Sequence, residues 1–247
     1  MSWKILAESI AGTGHVARGT PCQDAHCYRR IGESEGCLIV VVADGAGSAS
    51  HSEVGATFVC DALVDAIAKC DSLEVGLETV RTLVEGVRQS LVKYAAHLDV
   101  ELRQLASTLL LAVIYPDCCI FGQIGDGGIV VRSDQSSVYE VIFWPEPQEY
   151  VNCTNFITDE TFGQHLVLER RESTILEVAV FTDGLQGLVL ENSTRSAHNG
   201  FFSPLFSALS REDDMSTLGL HFKALLDSER INSRTDDDKT MVLALKT

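Results

Sequence analysis

The chain has 247 residues, 45% of them hydrophobic, with 35 acidic against 19 basic side chains and a formal net charge of −16. That length suits one large domain or two small ones; with no linker, low-complexity stretch or internal repeat, one domain over 1–247 is expected. The acidic balance excludes nucleic acid as a partner, since its phosphates call for Lys and Arg, and it excludes anionic membranes; most of the excess is expected to aid solubility.

No apolar run approaches the roughly 18 residues needed to cross a bilayer. The opening residues Met1 to Ser9 lack the basic segment and apolar core of a signal peptide. A soluble cytoplasmic protein is therefore expected. The eight cysteines fit that compartment. Cys37, Cys60, Cys118 and Cys119 lie inside apolar runs, where thiols pack as small hydrophobes. No Cys-x-x-Cys pair is present, which argues against zinc. Cys22, beside Gln23-Asp24, reads as a buried structural thiol.

In chain order, Trp3 to Ala11 reads as a first strand. A loop rich in Gly and Thr follows, carrying His15 and Arg18; an Arg there suits a phosphate's oxygens. Ala25 to Ile31 is a second possible strand. Cys37 to Ala43 is an unbroken apolar run closed by Asp44-Gly45-Ala46-Gly47, the pattern of a buried strand leaving the core at a tight turn. Ser50-His51-Ser52-Glu53 matches a capping box, and Val59 to Cys70 has helical spacing. Ser72 opens a second helix whose stripe runs Leu73, Leu77, Val80, Val84, Val87, Leu91, Ala95 and Leu98. Ser107 to Ile114 and Cys118 to Ile124 form a strand pair turning at Tyr115-Pro116-Asp117, and Ile129 to Arg132 and Val138 to Phe143 continue the sheet. Residues 144–162 hold two prolines and no period, the mark of a binding loop or flap. Asn152, Thr154 and Asn155 there are either substrate contacts or turn residues. Gln164 to Glu169 and Ile175 to Phe181 return to strand, Phe201 to Leu209 and Met215 to Leu226 suggest helices, and Met241 to Leu245 is a last strand. The fold class expected is α+β: an antiparallel β-sandwich flanked by pairs of helices.

One arrangement recurs along this order. Apolar runs end at Asp44-Gly45, at Asp126-Gly127 and at Asp183-Gly184, while Asp24 and the run Asp236-Asp237-Asp238 precede strands. Neighbouring antiparallel strands run in opposite directions, so an Asp ending one and an Asp starting the next meet at the same rim. Carboxylates gathered so closely repel unless a cation lies between them. Hard divalent ions choose such an all-oxygen site.

The fragments Gln23-Asp24-Ala25, Val42-Ala43-Asp44-Gly45, Gly125-Asp126-Gly127, Thr182-Asp183-Gly184-Leu185 and Asp237-Asp238-Lys239-Thr240, in that order, resemble the metal-dependent protein phosphatase family, protein phosphatase 2C. Pro21-Cys22-Gln23-Asp24-Ala25 with Asp44-Gly45-Ala46-Gly47-Ser48 is similar to a compact bacterial branch of it. The resemblance implies a centre of two Mn²⁺ or Mg²⁺ ions. Asp44 would bridge both ions, the Gly45 carbonyl would bind one, Asp183 and Asp237 would hold the other, and Asp24 would assist directly or through water. Asp126 resembles the ligand of a weaker third ion. The implied nucleophile is a metal-bound water, made available as hydroxide near neutral pH by two ions about 3.5–4 Å apart. The implied substrates are phosphoserine and phosphothreonine in proteins, with a cognate Ser/Thr kinase as a further expected partner.

Three positions depart from the family pattern. Gln23 stands where many members have Glu. Ala46 stands where many have a His that protonates the leaving oxygen, so His15, His51 or water takes that role, with His15 preferred. The usual phosphate-binding Arg falls at Gly19, with Arg18 adjacent. Two alternatives stay open: a binding or regulatory module with a degenerate site, and a small-molecule phosphomonoesterase.

Overall fold

A computed structural model describes residues 2–32, 36–70, 75–145 and 154–247. Its elements in chain order are β1 (Trp3–Ile10), α1 (Thr13–Arg18), β2 (Ala25–Ile31), β3 (Cys37–Ala43), α2 (Ser52–Ala68), α3 (Leu77–Leu98), β4 (Leu109–Ile114), β5 (Cys119–Ile124), β6 (Gly128–Ser133) and β7 (Glu140–Val141). There follow α4 (Phe162–His165), β8 (Val167–Arg171), β9 (Ile175–Phe181), α5 (Gln186–Val189), β10 (Leu190–Glu191), β11 (Ser196–Ala197), α6 (Asn199–Arg211), α7 (Met215–Leu226), α8 (Glu229–Asn232) and β12 (Lys239–Lys246).

Two five-stranded antiparallel sheets carry the fold, in the orders β2-β3-β4-β5-β8 and β1-β12-β9-β6-β7. A strand covered on both faces has no reason to alternate apolar with polar residues, and β3 shows why its run is unbroken. Leu38, Val40 and Val42 point between the sheets, against Leu110, Ala112, Val242 and Ala244. Ile39, Val41 and Ala43 point the other way, against Val59, Leu63, Val84 and Leu91 of α2 and α3. β9 and β12 repeat the division, with Ala179, Phe181, Met241 and Leu243 facing Phe202, Phe206 and Phe222 of α6 and α7. All seven residues of β3 are buried. Each fully buried Val, Leu or Ile contributes about 1.5–3 kcal/mol of transfer free energy, which makes this strand a rigid base for the turn after it. The layers are helix pair, sheet, sheet, helix pair, the architecture expected from the order of elements.

Several local expectations need correction. Residues 13–18, read as loop, form α1, closed by Gly19 in the left-handed region at φ 70°. A bond from Gly14 N to Asp236 O, 2.8 Å, helps hold the turn from outside it. The capping box does not form: α2 has no side-chain cap, and the Ser50 hydroxyl instead meets His51 Nδ1 and Gln104 Oε1. That bond also gives His51 a partner. Val138 to Phe143 shrinks to the two-residue β7, and Gln164 lies in α4 rather than in a strand. Ser72 and Leu73 fall outside the described residues; α3 begins at Leu77 after Gly76.

Candidate metal centre

The antiparallel pairing delivers acidic residues to one edge of the sandwich. Asp44 follows β3 and Asp24 precedes β2, where Ala25 pairs with Ala43. Asp183 follows β9 and Asp237 lies just before β12, where Met241 pairs with Phe181. Asp126 follows β5 in a turn whose flanking Gly125 and Gly127 both have positive φ, 85° and 93°. Stacking the sheets brings the two rims together. Carboxylate oxygens of Asp44, Asp126 and Asp183 all lie within 4.8 Å of one another.

Asp24 and Asp237 belong to the same field. Burial, then the charges of Asp24 and Asp183, push the Asp44 carboxyl well above the usual carboxylate range. Burial raises Asp183 to about 6, with Asp126 and Asp237 adding to the rise. Burial raises Asp24 to about 8, against a lowering hydrogen bond from Thr182. Asp126 is raised by burial and by Asp237. Each of these carboxyls thus has other carboxyls for charged neighbours, and proton uptake relieves them where a cation is lacking. Asp24 Oδ1 and Asp183 Oδ1 are buried with no hydrogen-bond partner. Orphaned, all-oxygen and acidic, the donor set fits hard divalent cations.

The scaffold around these groups is closely specified. Asp44 N accepts no freedom of position: it donates to Thr108 Oγ1 at 2.9 Å, and Thr108 N donates to Asp44 O at 2.8 Å. Gly45 is buried, and a Cβ there would lie 2.5 Å from Gln23 O and 2.8 Å from Ser52 Cβ. Gly45 N donates to that same Gln23 O at 3.1 Å. Thr182 Oγ1 donates to Asp24 Oδ2 at 2.7 Å and accepts from Thr240 N at 3.0 Å, tying a carboxylate of one sheet to the other sheet. Ala46, standing where the family pattern has His, is buried with Ala49 and Ala106 under Phe156.

Asp238, next to the expected ligand Asp237, has a different role that sequence reasoning missed. Its carboxylate is buried and accepts from Gly12 N at 2.6 Å, from Gln23 N at 2.6 Å and from the His15 ring at 2.8 Å through Nδ1. It pins α1 and the Asp24 loop to the start of β12. Its neighbour Asp237 is exposed and accepts from Asp238 N at 2.9 Å. A run of three acids gives no sign of which one turns inward. His15 is thus buried and held by Asp238. Arg18 is exposed on α1, its Nη1 and Asp236 Oδ2 both within ordinary contact distance of where a Cβ on Gly14 would stand. Cys22 is half-buried, its thiol pushed up by burial and then by the charges of Asp24 and Asp238, consistent with a structural thiol. In the flap region Thr154 Oγ1 donates to Asp126 Oδ2 at 3.1 Å; Asn152 falls outside the described residues.

Comparison with known proteins agrees with this geometry. A family model described as protein phosphatase 2C matches residues 11–222. The chain belongs to the protein phosphatase 2C family. It is 38% identical to serine/threonine-protein phosphatase 3 of Escherichia coli (strain K12) over 253 aligned positions, covering 99% of each chain. Its fold is similar to that of the serine/threonine phosphatase Stp1 from Staphylococcus aureus, with a TM-score of 0.67 at 16% identity over 100% of this chain and 96% of that one. It is also similar to the S. agalactiae serine/threonine phosphatase, with a TM-score of 0.66 at 17% identity over 100% of both chains. Among the described residues of this protein phosphatase 2C chain, no helix is long and apolar enough to cross a membrane.

Proposed function

We propose that this serine/threonine phosphatase of the protein phosphatase 2C family hydrolyses phosphoserine and phosphothreonine in proteins at a centre of two Mn²⁺ or Mg²⁺ ions, with a third ion held more weakly. The observation that carries the reading is the convergence of Asp44, Asp126 and Asp183, from three separate turns, to within 4.8 Å. Asp44 and the Gly45 carbonyl, Asp183 and Asp237 are the proposed ligands of the pair. Asp24 assists, and Asp126 serves the third ion. Ions bound there supply Lewis acidity, making hydroxide available near neutral pH and offsetting charge on the phosphoryl oxygens.

The protein's own groups do the rest. Thr182 and Thr108 hold Asp24 and the Asp44 backbone in place before substrate arrives, so little reorganisation is needed during reaction. His15 is the proposed proton donor to the leaving oxygen: Asp238 orients its ring through Nδ1. Arg18 is the proposed contact for the substrate phosphate. We read residues 1–247 as one catalytic domain. A Ser/Thr kinase supplies the substrate class, and the seven described cysteines, none of them in a disulfide, suit a reducing compartment such as the cytoplasm.

Hydrolysis of a phosphoserine peptide with Mn²⁺ tests the proposal, comparing the natural chain with Asp44→Asn; equal turnover by both would end it. Titration calorimetry separates a degenerate binding module, which gives no heat with Mn²⁺. A phosphatase of small molecules turns over free phosphate esters in preference to phosphopeptides.

A further inference from the structure

The segment after residue 153 is held by α3, and its near end touches the metal rim. Arg88 on α3 extends over it: Nε donates to Ile157 O at 3.1 Å, and Nη2 donates to Thr158 O at 3.2 Å. The guanidinium carbon sits 4.9 Å from the centre of the Phe162 ring. Arg81, two turns earlier, donates to Gly163 O at 3.4 Å. The planar fork suits two successive carbonyls and an aromatic face together, which a lysine ammonium does not.

From that anchor the segment runs inward by fixed steps. Ile157 is fully buried, and its N–H donates to Ser107 O at 3.0 Å. Ser107 in turn forms an antiparallel bridge with Gly45. Phe156 covers Ala46, and Phe156 N donates to Asp159 Oδ2 at 2.8 Å, closing a tight turn. Asn155 O packs against Gly125 so closely that a Cβ on that glycine would lie 2.8 Å away. Thr154 comes next, with its hydroxyl on Asp126 Oδ2 at 3.1 Å. From Phe162 back to Thr154, successive groups are tied to α3, to the Gly45 turn and to the Asp126 turn, leaving Thr154 little freedom.

We infer that Arg88 is a positioning residue for the metal centre, acting through residues 154–158 to hold the Thr154 hydroxyl on Asp126 and so to set the affinity of the ion that Asp126 binds. The inference rests on the reading of Asp126 as a ligand. It goes beyond that reading in assigning control of the weak site to a helix residue outside the acidic rim. Outer-shell hydrogen bonds orient ligating carboxylates in this way.

Mn²⁺ binding by calorimetry and deuterium uptake by the metal-free protein test it together. Thr154→Val is expected to raise the Mn²⁺ concentration for half-occupancy of the weakest step about 10-fold, the low end of what loss of an outer-shell partner does. Arg88→Ala shifts the same step in the same direction, leaves the tighter steps in place and speeds deuterium uptake across residues 154–163. Arg88→Lys gives an intermediate shift. Because both residues act on one bond, the double variant shifts the step no further than Thr154→Val alone. Arg88→Ala that loosens the segment yet leaves the weak step unmoved overturns the inference, as do additive shifts in the double variant. A natural chain with no weak Mn²⁺ step overturns the reading of Asp126 and this inference with it.

Discussion

Strand β9 places a buried acid near its start and a half-buried one just past its end, and the two are treated in opposite ways. Glu177, near the start, faces Arg132 of β6 across the sheet. It accepts from Arg132 Nε at 2.9 Å and from the Tyr139 hydroxyl at 2.7 Å, with a second bond to Arg132 Nη2. The guanidinium and phenol supply within the protein what the carboxylate lost on leaving water. Asp183, beyond the far end, sits among Asp44, Asp126 and Asp237, has an oxygen with no partner, and is raised to about 6. A neutralised acid is a structural joint. An acid surrounded by acids lacks that compensation and suits a cation from solution.

Four experiments break or sharpen that contrast. The largest effect is expected from Asp44→Asn, with a fall in phosphopeptide kcat/KM of at least about 100-fold, the upper end for loss of a mere outer-shell partner. In the metal-free protein near neutral pH the same substitution raises Tm, because an amide folds without having to take up a proton that the unfolded carboxylate lacks; a thermal melt in chelator checks the sign. Arg132→Ala acts the other way, leaving buried Glu177 without its cation. Unfolding in denaturant should show a loss of about 3 kcal/mol, typical of breaking a buried pair, with turnover per folded molecule unchanged.

The third experiment is a pH series. Asp24 and Asp183 have folded-state values near 8 and 6, above an unfolded value of about 3.9. The folded chain therefore binds more protons than the unfolded one across that interval, and stability of the metal-free protein falls as pH rises from about 4 to about 8. Saturating Mn²⁺ replaces the protons and flattens the fall, and Mn²⁺ affinity itself weakens as pH drops. A metal-free Tm that rises through this interval would contradict the assignment. The smallest effect is expected from Thr182→Val, which removes the donor to Asp24 Oδ2 at a cost of about 1 kcal/mol, read by denaturant melts in excess Mn²⁺.

Much of this was legible before any coordinates. The unbroken run from Cys37 to Ala43 signals a strand buried on both sides, and its bounds match β3 residue for residue. An Asp at the end of one apolar run and another before the next implies a shared rim once strands are antiparallel, and Asp44, Asp126 and Asp183 do meet there. Other features were hidden because they depend on partners remote in sequence. α1 takes shape with Asp236 and Asp238 against it, more than two hundred residues away. The capping box at Ser50 loses to Gln104, which a local motif does not see. Arg88 looks like any charged residue on an amphipathic helix until two carbonyls from another segment arrive beneath it.

Local pattern, then, determined the strands, the order of layers and which acids stand at strand ends, because burial on one or both faces of an element writes a period into its own residues. Tertiary structure alone decided the division of labour among those acids. Asp238 is enclosed by three donors and becomes a joint, while Asp24 and Asp183 keep orphaned oxygens facing like charge. The free energy of a buried carboxylate depends on the donors and charges within a few ångströms of it, and here those come from segments that only the folded sandwich brings together.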